Sequence, residues 1–121
     1  EKYIRRQGDM TLTEYQVKAS RTIPDDMDHD SRLRHAIFGL VSEVGEVAGI
    51  LQKSYQGHDI DRLRILHECG DVLWFLSDLI GCFDSGLEEV GKMNIAKLEK
   101  RYPIEEGFTA YRSLHRQEGD L

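Results

Sequence analysis

Two pairs of carboxylates, Glu43 with Glu46 and Glu68 with Asp71, lie inside the apolar stripes of two successive segments with helical periodicity. That placement constrains the fold more than any other feature of the chain. At about 100° per residue, the segment from Ala36 to Leu51 gathers Leu40, Val41, Val44, Val47, Ala48, Ile50 and Leu51 into a little over half of the helix circumference. Glu43 projects from within that sector, between Ile50 and Val47, and Glu46 borders it. From Ile65 to Cys82 the same count sets Ile65, Val72, Phe75, Leu76, Leu79 and Cys82 on one face, with Glu68 and Asp71 among them. An ionised carboxylate taken out of water without a partner costs several kcal/mol or shifts its pKa until it is neutral. Four together require a multivalent cation or a network of Lys and Arg. The all-oxygen donor set favours Mg²⁺ or Mn²⁺ over zinc, which prefers Cys and His.

The spacing also predicts how the two pairs meet. If the first helix ends near Ser54, before a turn at Gly57, and the second starts near Asp61, both pairs lie at matching depths from the turn. At about 1.5 Å rise per residue, an antiparallel hairpin brings them to one level.

The remaining chain reads as all-α. Residues 1–10 form a polar, frayed N-terminal segment. Thr11 or Thr13 caps a short helix to about Arg21, with Leu12, Tyr15, Gln16 and Ala19 on one side. Pro24 and the acidic stretch behind it end that helix, and Asp30 or Ser31 caps the long one. Asp59 is the expected cap of the third helix, which runs to about Phe83 and is apolar nearly all round through Leu63, Leu73, Trp74 and Ile80. A fourth helix spans Leu87 to Tyr102 and stops at Pro103. Residues 11–103 thus make one helical domain resembling an antiparallel four-helix bundle. Residues 104–121 form a C-terminal arm, extended or with a short helix around Tyr111 to His115.

Composition excludes several classes. The formal net charge of −6 and the lack of a long basic run argue against duplex nucleic acid as a partner. No apolar run is long enough for a membrane span or a signal peptide, so a cytoplasmic location is expected. Cys69 and Cys82 fall at interior helix positions and read as small buried hydrophobes. With 121 residues, 40% of them hydrophobic, the core is thin for a monomer, and oligomerisation follows.

A cationic face completes the pattern. Asn94, Lys97 and Arg101 recur at i, i+3, i+7 on the fourth helix. Such a set beside a metal cluster suits a polyphosphate, whose oxygens Arg and Lys bind while metals bridge others. On an isolated helix end it would merely complement the dipole.

Taken in order, Gly39-Leu-Val-Ser-Glu-Val-Gly-Glu-Val-Ala-Gly49, Glu68-Cys-Gly-Asp-Val-Leu-Trp-Phe-Leu76 and Asn94-Ile-Ala-Lys-Leu-Glu-Lys-Arg-Tyr-Pro103 resemble the MazG-type nucleotide pyrophosphohydrolases of the all-α NTP pyrophosphatase superfamily. The resemblance covers roughly residues 11 to 116. It implies homodimers or homotetramers and hydrolysis of nucleoside triphosphates at the α,β bond to monophosphate and pyrophosphate. It also implies Mg²⁺ held by Glu43, Glu46, Glu68 and Asp71. It assigns Asn94, Lys97 and Arg101 to the triphosphate and Tyr102 to the sugar or base.

In that chemistry Glu43 or Glu46 accepts the proton of the attacking water, Glu46 being favoured by its place at the sector edge. Asp78 is a further metal or supporting residue, or else an interhelical contact. His35 and His67 fall off the carboxylate faces, at the surface or in a base pocket shared between subunits. Trp74 reads as core rather than as a base platform. The alternative class is a catalytically silent helical assembly module whose carboxylates bind a structural cation. A di-iron bundle is disfavoured because no Glu-x-x-His occurs.

Overall fold

A computed structural model of the protein describes residues 8–103. Among them are four helices and no strand: α1 is Leu12–Ser20, α2 His29–Tyr55, α3 Arg62–Gly81 and α4 Leu87–Arg101. The fold is all-α, as the periodicity requires. The chain divides into two compact units, the first ending at Gly86 and the second beginning at Leu87. The C-terminal arm and most of the expected N-terminal segment lie outside the described residues.

Each helix of the first unit opens on a side-chain cap. Thr11 Oγ1 accepts from the Glu14 N–H at 3.1 Å, Asp28 from the Ser31 N–H at 2.8 Å and Asp61 from the Arg64 N–H at 3.1 Å. The last two correct the sequence reading, which placed these caps at Asp30 or Ser31 and at Asp59. The cap must be extended and serve the N–H three residues on. Asp28 and Asp61 are extended, whereas Asp30 and Ser31 are already helical and Asp30 complements the positive end of α2 from within its first turn. Gly57, at φ 96°, turns the chain out of α2 in a conformation that other residues adopt only with strain. The third helix stops at Gly81, short of the expected Phe83.

α2 and α3 form the predicted antiparallel hairpin. Arg32 meets Asp78, Gly39 meets Phe75, and Glu43 meets Glu68 and Asp71, so numbers rise on one helix as they fall on the other. Gly39 sets the closeness of approach, because a Cβ built there would fall within the Phe75 ring. Gly39→Ala is therefore expected to lower stability by about 1–3 kcal/mol through overpacking. Urea denaturation checks this, and an unchanged midpoint would contradict it.

α1 lies along α3. The Gln16 amide donates to the carbonyls of Ser77 and Ser85, both at 3.4 Å, and the Trp74 indole N–H donates to Thr22 Oγ1 at 2.8 Å. Trp74 and Leu73 are partly buried. Exposed apolar residues recur on α2, where Phe38, Val41, Val44, Leu51 and Tyr55 stand at helical spacing, with Phe38 70% exposed and Val41 65%; others lie on α3 at Leu63 and Leu66 and on α4 at Met93 and Ile95. No described helix is long and apolar enough to cross a membrane.

Candidate metal centre

Three of the four predicted carboxylates converge. Glu43 from α2 and Glu68 and Asp71 from α3 each offer an oxygen within 4.8 Å of the others. Glu43 and Glu68 are partly buried, held between the helices by the same faces that pack Ile50 and Val72, whereas Asp71 is exposed at the edge of the seam. Glu46 stands one turn along α2, exposed and outside this group of three.

Electrostatics report the crowding. Burial raises the Glu43 pKa, and the charges of Asp71, Glu68 and Glu46 raise it further, as does a hydrogen bond with Glu68. Glu46 thus acts on the site by its charge. The linkage has a definite sign, because a carboxyl held protonated by the fold favours the folded state at low pH. Stability from Glu43 is lost as pH rises from the ordinary glutamate range through its raised value. In EDTA the melting temperature should therefore fall relative to that of Glu43→Gln as pH climbs through this window. A wild type that gains on the variant would contradict it.

Asp78 does not join the cluster. It is 2% exposed and accepts from Arg32 Nε at 2.8 Å, which makes it the interhelical contact rather than a metal or supporting residue. Its second oxygen, Oδ2, has no hydrogen-bond partner among the described residues. Arg32 runs beside Gly81, where a Cβ would come within 3.0 Å of its guanidinium. Between this pair and the carboxylates sits an aromatic group. The Phe75 ring lies 4.9 Å edge-on from Trp74 and 5.6 Å from His35.

A protein of Mycobacterium phage L5, named "Gene 37 protein", is 32% identical over 96 residues, covering 72% of this chain and 84% of its own length. The chain belongs to that protein's family. No protein-family model matches, and no solved structure does.

The other predicted residues are distributed as follows. Asn94, Lys97 and Arg101 lie on α4 and Tyr102 directly after it, all in the second unit, where Tyr102 N–H donates to the Leu98 carbonyl at 2.8 Å. His35 and His67 are exposed, as expected for residues off the carboxylate faces. Cys82 is buried, but Cys69 is exposed, which corrects its reading as an interior position. Its place beside Glu68 turns it away from the seam.

Two residues in the first unit escaped the sequence reading as parts of the site's surroundings. Tyr15 has its pKa raised by burial and then by the charge of Asp71, so α1 carries a phenol within electrostatic reach of the cluster. Arg32 shares the seam-facing side of α2 with Glu43, three turns away. That periodicity could have identified it as the partner of a buried acid.

Proposed function

We propose that the chain is a MazG-like, Mg²⁺-dependent nucleoside triphosphate pyrophosphohydrolase that cleaves NTPs or dNTPs at the α,β bond to monophosphate and pyrophosphate. The observation that carries this reading is the convergence of Glu43, Glu68 and Asp71 within 4.8 Å on two packed helices. The donors fit the ion: all are hard oxygens, and Glu43 and Glu68 are partly buried where their mutual repulsion needs neutralising.

Glu43, Glu68 and Asp71 would hold Mg²⁺ or Mn²⁺, with Glu46 swinging in from one turn away. When bound, the cation would draw charge from the α and β phosphoryl oxygens and lower the pKa of water at the site. Glu46, solvated and adjacent, would accept the proton as water attacks the α phosphorus. Asn94 would donate to the triphosphate, Lys97 and Arg101 would stabilise the charge on the departing pyrophosphate, and Tyr102 would meet the sugar or base. The role is nucleotide-pool house-cleaning in the cytoplasm.

Assembly belongs to the same reading. The exposed α2 stripe exceeds what scattered surface residues require, and it would be covered in a homodimer or homotetramer. Val41→Glu is expected to dissociate the assembly, as measured by light scattering at micromolar concentration. A wild type that is already monomeric there would contradict it.

The test of function is a panel of canonical and damaged NTPs and dNTPs incubated with the protein and Mg²⁺, with monophosphate and pyrophosphate quantified. Turnover that stops in EDTA is expected. Cation binding without turnover of any nucleotide would instead favour the assembly module with a structural ion.

A further inference from the structure

The Asp78 carboxylate is buried with one oxygen engaged. Oδ1 accepts from Arg32 Nε at 2.8 Å, whereas Oδ2 has no hydrogen-bond partner among the described residues. A buried ion pair in this state is a weak stabiliser, because well-packed apolar side chains of similar volume do as well or better. What it does supply is direction. A charge-assisted hydrogen bond holds two groups in a defined geometry, whereas apolar packing is non-directional.

Helical register links the pair to the metal centre. Glu43 follows Arg32 on α2 by 11 residues, about 16 Å of rise, and Asp78 follows Glu68 on α3 by 10 residues, about 15 Å. At about 100° per residue, 11 residues return to the same side of α2, as the seven from Asp71 to Asp78 return to the same side of α3. Pair and cluster therefore share one stripe of each helix at matching separations.

The two ends of the hairpin are tied differently. At one end the turn at Gly57 joins the helices covalently. At the other, Arg32 with Asp78 is the only ion pair joining α2 to α3 among the described residues, and His29 Nε2 lies 3.0 Å from the Cys82 carbonyl oxygen beside it. Between these ties Glu43 meets Glu68 and Asp71, whose charges repel it across the seam when no cation intervenes. Mg²⁺ requires oxygens in near-octahedral positions at about 2.0–2.1 Å. A slip of one residue between the helices displaces a donor by about 1.5 Å and swings it by about 100°, so register decides whether Glu43 can join the two acids of α3 on one ion.

We infer that Arg32 and Asp78 are positioning residues for the metal centre: their buried, directional pair sets the register of α2 on α3 at which Glu43, Glu68 and Asp71 share one cation. The inference rests on the metal-binding part of the proposed function and not on turnover.

Calorimetric titration of Mg²⁺ and of Ca²⁺ into the full chain tests it, using wild type, Arg32→Ala and the double variant Arg32→Met with Asp78→Leu. Thermal melts establish that each protein is folded. Ca²⁺ accepts longer and less regular coordination, so it reports the presence of the donors without demanding their placement. Both variants are expected to bind Mg²⁺ about tenfold more weakly, the lower end of the loss when a residue that orients ligands is removed. Their affinity for Ca²⁺ should change by less than about threefold. The double variant regains stability without the directional pair, so it keeps the test decisive even if Arg32→Ala does not fold. Wild-type Mg²⁺ affinity in the double variant overturns the inference, because apolar packing would then serve as well. Equal weakening of both ions also overturns it, since that marks a lost donor rather than a lost register. A wild type that binds neither ion removes the metal centre and the inference together. Selective weakening of Mg²⁺ in a protein that hydrolyses no nucleotide supports the inference and removes the hydrolase reading alone.

Discussion

Asp71→Asn and Glu43→Gln are each expected to reduce Mg²⁺ affinity about a hundredfold or more, because even partners that only orient a ligand cost 10–100-fold when removed. Both should reduce nucleotide hydrolysis to background. The three carboxylate oxygens lie within 4.8 Å of one another, so each variant removes a donor and a repulsive charge together. The apo protein should accordingly keep or raise its melting temperature while losing the stabilisation that Mg²⁺ gives the wild type. Melting curves with and without the ion, alongside calorimetry, separate these effects. A variant with wild-type Mg²⁺ affinity would remove Asp71 or Glu43 from the site.

Arg32→Ala is expected to be the most destabilising single change away from the centre. It strips from Asp78 the only side-chain hydrogen-bond donor found among the described residues; the Asp78 side chain is 1% exposed, and its other oxygen has no partner among those residues. Breaking a buried pair by removing one member costs about 3–5 kcal/mol. The Arg32 side chain keeps 31% exposure, which places the expected loss near the lower end, about 3 kcal/mol. The double replacement Arg32→Met with Asp78→Leu should recover much of it, since no charge is then left buried. Chemical denaturation of the three proteins checks the ordering; a double variant less stable than Arg32→Ala would contradict it.

The hairpin was legible in the sequence because two apolar periodicities and one glycine turn leave few ways to bury both faces. Helix rise alone brings the two pairs to one level through the matching depths of Glu46 and Glu68; Glu43, Glu68 and Asp71 do converge, whereas Glu46 lies outside that group. The caps were harder, since four nearby aspartates and a serine compete and only backbone conformation separates Asp28 from Asp30. Cys69 was misplaced because a helix apolar nearly all round gives periodicity little contrast. Asp78 was ambiguous for a related reason: it shares a face with Asp71, and only its contact with Arg32, 46 residues away in sequence, separates a structural acid from a ligand. Tyr15 was seen on the right face of α1, but nothing in a single helix's pattern indicates which neighbour it approaches.

The most direct measurement of the central claim is phosphorus NMR of the products formed from a nucleoside triphosphate in oxygen-18-enriched water with Mg²⁺. Attack at the α phosphorus should place the label in the monophosphate and release unlabelled pyrophosphate, and EDTA should stop the reaction. Label in pyrophosphate, orthophosphate as the sole initial product, or turnover undiminished by EDTA would contradict the account.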